Sequence, residues 1–221
     1  MTKSFFFKDI YSNFFKRIID LTGAFILLVM FFPLIAFTAI VIRLDSKGPI
    51  LADVPDRVGE NGKTFKMLKF RSMILNAHYQ LRTNPKFKEL FKQYKKENYK
   101  LKKDPRVTCV GKFIRKHSID EIPQLINVLR GQMSLVGPRA YYPDELHNQQ
   151  KKFPLTKGLV KKVLSVKPGI TGLWQVSGRS EINFDKRVTI DAKYVDSLSL
   201  KKDFGIIIKT PFVMINGKGA V

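Results

Sequence analysis

Cysteine is almost missing from this chain of 221 residues: Cys109 stands alone, which excludes an internal disulfide and any cysteine-rich zinc site. Histidine is scarce as well, at positions 78, 117 and 147, so no Cys/His metal cluster is expected. No Asp-x-Asp triplet occurs, which argues against a conventional metal-dependent glycosyltransferase holding a nucleotide-bound cation, and no hydrolase serine motif competes. Gly62-Lys63-Thr64 resembles the end of a phosphate-binding P-loop, but that pattern requires glycine where Arg57 stands. Acidic side chains are also few, with 18 Asp+Glu against 40 Lys+Arg and a formal net charge of +22. Such a surface seeks anions, whether nucleic acid, anionic lipid headgroups or a phosphorylated substrate, and charge alone does not rank them. With 44% hydrophobic and 26% charged residues the composition is globular, and the length suits one large domain or two small ones.

What is present is a long apolar run. From Ile18 to Ile42 the only charge is Asp20, with Lys16-Arg17 before the run and Arg43 after it. The run lacks the short apolar region and small-residue cleavage site of a signal peptide. As one straight helix it would reach about 37 Å, enough to cross a hydrocarbon core of about 30 Å. Pro33 lies inside it, however, and predicts a kink near Phe32, leaving halves of about 22 Å and about 13 Å that do not cross alone. Basic residues flank both ends almost equally, with no inside-outside bias. The residues leave two readings open: a kinked single pass, or a bend that returns the chain to the face it entered.

The remainder reads as a basic, soluble body. Residues 50 to 75 look extended, and Asn61-Gly62 suits a tight hairpin turn between Arg57-Val58 and Thr64-Phe65. Between Pro85 and Lys103, Phe87, Leu90, Phe91, Tyr94 and Leu101 share one helical stripe, for contact with a membrane surface or polyanion, or for docking on the body. Phe204 to Ile215 carries the same pair of readings and is too short to span.

After a strand-like Val107 to Val110 comes the densest segment, Lys112 to Ala140. Ser118 followed by Glu121 is a capping-box pattern, predicting a helix from Ser118 to about Leu129, ended by Gly131. Asp120 and Glu121 would then occupy its first turn. Capping alone accounts for acidic residues there. The nearby Arg115, Lys116 and Arg139 favour a second account, in which two carboxylates share a phosphate site. Adjacent carboxylates divide labour between nucleophile and base or metal ligand, and carboxylates facing a diphosphate need a hard cation, for which magnesium is expected.

Several motifs in the same order carry a family resemblance. KMLKFRSM (66–73), SIDEIPQLINVLRGQMSLVGPR (118–139), VKPGITGLWQVSGRS (166–180) and FDKRVTIDAKYVDSLSLKKDFGIIIKT (184–210) together resemble the bacterial sugar transferases, monotopic polyprenyl-phosphate phosphoglycosyl transferases in their minimal form. The resemblance covers nearly the whole chain from residue 16. It implies an α+β, mostly helical enzyme with a small β-hairpin. Residues 1–45 would carry a re-entrant membrane helix broken at Pro33, and residues 46–221 a catalytic domain on the cytosolic face of the bacterial cytoplasmic membrane. It implies transfer of a sugar-1-phosphate from a UDP-sugar to undecaprenyl phosphate with magnesium and release of UMP, through a phosphosugar bound covalently to Asp120. Glu121 would assist or share the metal with Asp120. Lys69, Arg71, Arg115, Arg139 and Arg179 become phosphate-binding candidates, of which two of the five are expected to be ordinary solvated side chains. Gly169, Gly172 and Gly178 suggest a tight loop around Trp174 and Gln175, by approach to a ligand or by turn chemistry alone. Two departures stand out: Ala140 replaces a proline after Pro138-Arg139, and Phe32 replaces the serine common before the membrane proline. A non-catalytic membrane adaptor binding anionic lipid or RNA is the rival from another class; the enzyme reading has no nucleic-acid partner and leaves the sugar and the oligomeric state open.

Overall fold

The apolar run folds as a single helix, α1 (Lys16–Asp45), entered through a π-helical turn at Tyr11–Phe15. The computed structural model describes residues 11–97, 99, 101, 103–178 and 182–215. Helix α1 runs from Lys16 to Asp45 with Pro33 inside it. Its buried residues fall in two groups, Lys16, Asp20 and Ala24 before the proline and Thr38 and Ile42 after it. Between them Phe25, Ile26, Val29, Met30, Phe32 and Phe37 are each more than half exposed. Both halves of α1 therefore pack on the same body, while the middle offers it only apolar surface.

Polar groups fix both ends. Asp20, the one charge of the apolar run, faces inward, where its Oδ1 accepts from Ser134 Oγ and Leu135 N, each at 2.9 Å. Arg17 donates to the carbonyls of Val128 (2.7 Å) and Leu129 (3.1 Å), the C-terminal carbonyls of α5 (Gln124–Leu129). At the far end Arg71 donates to Ser46 O and Lys47 O, both at 2.7 Å, and to Ile42 O at 3.4 Å. A helix end leaves carbonyls without intrahelical partners, and guanidinium groups satisfy them here at the ends of two helices.

The body is mostly helical with two small sheets, as expected. Strands β1 (Arg57–Val58) and β2 (Thr64–Phe65) form the antiparallel hairpin, pairing Arg57 with Phe65 and Val58 with Thr64. Residues 59–63 form its connection, with Asn61 (φ 55°) and Gly62 (φ 78°) in the left-handed region, in the place the sequence suggested. Val107 makes only an isolated bridge to Met73, and α4 (Cys109–Lys116) begins where a strand was read, because Thr108 Oγ1 accepts from Gly111 N at 2.9 Å and caps a helix. Strands β3 (Ser134–Val136) and β4 (Gly169–Thr171) pair in parallel. A Cβ at position 169 would stand 2.0 Å from Gly137 N, and one at 172 would stand 2.1 Å from Gly137 O. These two glycines thus serve backbone approach between segments rather than turn chemistry.

The basic stretch after Pro85 is helical over a shorter range than predicted, as α3 (Lys88–Lys96), following α2 (Ala77–Thr83). Tyr94 and Leu101 bury with Leu81, Tyr99 and Tyr142, and Phe87, Leu90 and Phe91 pack alongside, so the apolar stripe docks on the body. Helices α6 (Pro143–Lys152), α7 (Lys157–Val163) and α9 (Phe184–Asp196) enclose a second core around Tyr141, Leu146, Val160 and Val188. The last helix, α10 (Leu200–Ile215), buries Ile206 and shares a 2.8 Å hydroxyl bond between Thr210 and Thr171, while Phe204, Ile208 and Phe212 stay exposed. It combines docking on one face with free apolar surface on the other.

Asp203, in the first turn of α10, joins the ends of the chain. Its carboxylate accepts from Lys16 Nζ (2.5 Å), Tyr11 Oη (2.7 Å) and Tyr194 Oη (2.7 Å), and all four side chains are buried. Removing one partner of a buried ion pair strands the other, at about 3–5 kcal/mol. Asp203→Ala is expected to lower stability by that amount in a denaturant titration of the detergent-solubilised protein. Asp53→Ala, which breaks an exposed pair with Lys66, is expected to leave the midpoint unchanged.

Candidate active site

Asp120 and Glu121 lie in a short 3-10 turn, Ile119–Glu121, that precedes α5. The predicted capping box does not form: Ser118 is left-handed at φ 55°, ψ 22° and its side chain makes no cap bond. The reason lies in the chain on either side. Helix α4 ends at Lys116, and the peptide must reverse through Ser118 before Pro123 opens α5 at its N-cap. The 3-10 turn sets both carboxylates beside the extended segment around Phe70, whose N–H donates to Asp120 O at 2.9 Å.

That segment delivers Lys69. Its Nζ lies 2.6 Å from Glu121 Oε1 and 3.7 Å from Asp120 Oδ2. Asn127 fixes the register: its Oδ1 accepts from Leu68 N and its Nδ2 donates to Lys66 O, both at 2.9 Å, from a fully buried position on α5. The helix that follows the carboxylates therefore also clamps the strand that carries their lysine. Burial raises the Asp120 carboxyl to about 6 against the opposing pull of Lys69, with Glu121 pushing it further up and Arg115 drawing it down. Lys69 remains a cation, held up against its own burial by Glu121 and Asp120.

Asp120, Glu121, Lys69, Arg71, Arg115 and Arg139 all line one cleft of about 300 Å³. Four of the five predicted phosphate-binding residues are thus gathered at the carboxylates; the fifth, Arg179, lies outside the described residues. They are not equivalent. Arg71 is 5% exposed and its guanidinium is committed to the α1 carbonyls, which makes it a cap for that helix. Arg139 stands 5.2 Å from the Trp174 ring centre, and Trp174 faces Arg187 at 5.3 Å. Trp174 and Gln175, carried on α8 (Leu173–Val176), line the cleft as the glycine-rich motif suggested.

Several contributors escaped the motif reading. Asn127 is one, because a clamp between segments 59 residues apart leaves no local pattern. Asp191 is another: fully buried, it accepts from Arg139 N at 3.1 Å and so sets the Gly137–Arg139 loop, with burial pushing its carboxyl up to about 7. The spacing of Arg187 and Asp191, four residues apart on α9, was a visible signal that both face one side. Arg57 and His78 also line the cleft. Among the described residues no cluster of three or more Asp, Glu, His or Cys side chains is placed to hold a metal. The Asp120–Glu121 pair nevertheless supplies hard oxygen donors of the kind magnesium takes from a protein when substrate oxygens and water complete its shell, so the residues fit that ion.

The buried Asp120, its half-buried neighbour Glu121 and Lys69 thus share one arginine-lined cleft. Residues 11–217 match the family described as Bacterial sugar transferase, and the chain belongs to that family. It is 42% identical over 213 residues to a UDP-galactose-lipid carrier transferase of Erwinia amylovora, covering 95% of this chain and 42% of that protein. To an undecaprenyl-phosphate galactose phosphotransferase of Salmonella typhimurium it is 41% identical over 209 residues, 95% of this chain and 42% of that one. An exopolysaccharide production protein, ExoY, of Sinorhizobium fredii matches at 39% over 199 residues, 88% of this chain and 83% of the relative. The chain thus spans about two fifths of the first two relatives' length and most of the third.

The pH dependence follows from the Asp120 carboxyl. An activity that uses Asp120 as an anion is expected to rise from acid pH through about 6 and level off above it, read from initial rates across buffers. Its raised value also means that the folded state holds the proton more tightly than the unfolded one. Stability is therefore lost as pH climbs from about 4 to about 6, and Asp120→Asn is expected to stabilise the protein at pH 7 by on the order of 3 kcal/mol, read from a denaturant titration.

Proposed function

We propose that this protein transfers a sugar-1-phosphate from a UDP-sugar to undecaprenyl phosphate, as the first membrane step of polysaccharide or glycoconjugate synthesis. The observation that carries the reading is the buried Asp120, paired with Glu121 and Lys69 in a cationic cleft whose other wall caps the apolar helix α1. The names of the relatives support a lipid-carrier acceptor and a galactose donor.

In the first half-reaction an Asp120 oxygen forms a bond to the phosphorus that bears the sugar. The bridging P–O bond to the nucleotide phosphate breaks and UMP departs with that electron pair. In the second, an oxygen of the lipid phosphate attacks the same phosphorus, the aspartyl P–O bond breaks, and Asp120 returns as a carboxylate beside a lipid diphosphosugar. Splitting one transfer into two lets each substrate be positioned in turn at a single nucleophile. Lys69 keeps Asp120 oriented and partly ionised, and releases it as the phosphate arrives. Arg115 and Arg139 receive the phosphate oxygens, while Arg71 acts through α1. Magnesium, when bound at Asp120 and Glu121, neutralises donor phosphate charge that would otherwise repel the carboxylates.

Placement at a membrane follows from α1, the one described helix long and apolar enough to cross a bilayer. Because residues on both sides of Pro33 rest on the same body, a helix that dips into the cytosolic leaflet of the inner membrane and returns accounts for the packing better than a single pass. A single pass would carry one end of α1 away from that body by the thickness of a bilayer. The polyanion-binding adaptor has no account of the inward-facing carboxylates.

Two outcomes are expected. Incubation with UDP-galactose and magnesium, without lipid, should yield UMP and a phosphosugar adduct detectable by intact-protein mass spectrometry; Asp120→Asn should yield neither, and full turnover by that variant would refute the covalent route. Single cysteines placed at Thr22 and at Ser46, in a Cys109→Ser background, should both react with a membrane-impermeant maleimide added from the cytosolic side of inverted vesicles. Labelling of only one would establish a single pass.

A further inference from the structure

Four arginines among the described residues are buried, three of them lining the cleft, and all but Arg57 have partners that explain them. Arg106 is paired with Asp104 at 2.6 Å, Arg187 faces Glu145 at 3.6 Å, and Arg71 is spent on carbonyls. Arg57 is different. It is 7% exposed, donates from Nη1 to Ala140 O at 3.1 Å, and lies with its guanidinium carbon 3.3 Å above the centre of the Tyr142 ring. No carboxylate among the described residues comes within 4 Å of it, and its Nε has no hydrogen-bond partner. A guanidinium taken out of water without a counter-ion is costly, and stacking on one phenol offsets only part of that cost. The hairpin nevertheless holds it rigidly: β1 pairs with β2, and Val58 N donates to Tyr141 O at 2.9 Å on the other side. A fixed, buried, uncompensated cation in an open cleft is a receptor waiting for an anion.

The position of Arg57 selects which anion. Phe70, next to Lys69 in sequence and bonded to Asp120 O, packs with Ile42 of α1 and Ile114, so the carboxylates stand at the membrane-helix end of the cleft. Tyr142, under Arg57, belongs to the Leu81–Tyr94–Tyr99–Leu101 cluster built on α2 and α3. His78 lines the same end, its imidazole pushed down to about 4 by burial and then by Arg106 and Arg57, so it offers a neutral ring. A lipid phosphate arriving along α1 would meet the carboxylates, and the part of the cleft lined by Arg57, Tyr142 and His78 would take the water-soluble part of the donor.

We propose that Arg57, stacked on Tyr142, binds the nucleoside monophosphate half of the donor and neutralises the phosphate that leaves when Asp120 takes the phosphosugar. This rests on the UDP-sugar reading given above and adds a binding residue to it. As the bridging P–O bond breaks, negative charge collects on the nucleotide phosphate, and Arg57 meets that charge without having to move.

The test uses the full chain in detergent micelles, with Arg57→Gln and Arg57→Lys compared to the unsubstituted protein. Initial rates of UMP release are measured while UDP-galactose and undecaprenyl phosphate are varied separately, and UMP is titrated against the fluorescence of Trp174, the only tryptophan. Arg57→Gln is expected to raise the donor KM and the UMP dissociation constant about tenfold or more, Arg57→Lys by less, with the KM for undecaprenyl phosphate unchanged. A rise confined to the lipid KM, or unchanged UMP affinity in a folded variant, would overturn the proposal. So would a loss of thermal stability as the only effect, which is what a purely structural brace predicts. If Arg57→Gln does not fold, Arg57→Lys carries the same comparison. Should the unsubstituted protein release no UMP from any UDP-sugar, the underlying reading fails; should it release UMP and the variants match it, only the role of Arg57 fails.

Discussion

The structure depends on a charged seal at each end of an apolar helix. Helix α1 has little reason of its own to rest on a polar body, since its middle is uniformly hydrophobic. Arg17 reaching the end of α5, Asp20 reaching β3 and Arg71 reaching the end of α1 supply that reason. Each bond joins a charge to backbone groups that would otherwise be buried without partners, so losing the charge costs twice. Through Arg17 the anchor holds the C-terminus of the helix whose N-terminal side carries the carboxylates. Through Arg71 the strand that delivers Lys69 holds the anchor. The apolar helix and the carboxylate site are thus two ends of one mechanical circuit.

Within that circuit the site is built by opposition. Asp120 is buried enough to resist ionisation and paired enough to be ionised near neutrality. Lys69 is placed by Asn127, and Arg139 by Asp191, so two of the cationic groups are oriented by buried side chains that touch no substrate in this account. Such arrangements trade folding free energy for readiness, and the left-handed Ser118 beside the carboxylates belongs to the same trade.

Much of this was legible in the residues. The apolar run, the hairpin, the carboxylate pair and the gathering of Lys69, Arg115 and Arg139 around it all follow from patterns in the chain. The failures are equally informative. Ser118-x-x-Glu121 satisfies a capping pattern, but the reversal forced between α4 and Pro123 overrides it, and Glu121 goes to Lys69 instead of to backbone. Arg71 sits in a motif with Lys69, two residues away and so on the same face of an ideal extended segment, yet the carbonyls at the end of α1 draw it to a different task. Gly169 and Gly172 read as a ligand-approach loop or as turn formers, because their actual requirement, the passage of Gly137, lies some thirty residues earlier. Arg57 gave no signal, since only three-dimensional proximity shows that it lacks a counter-ion.

Asp20, bonded to Ser134 and Leu135, bears on any attempt to obtain a water-soluble form of this protein by trimming. Cutting the chain at residue 45 would remove the acceptor for two buried donors, uncover the core beneath Ala24, and free the last turn of α5. The most apolar surface of the chain lies on α1, but no border in packing coincides with it. The helix is in that sense a wall of the globule, and a truncated protein would be expected to aggregate rather than dissolve.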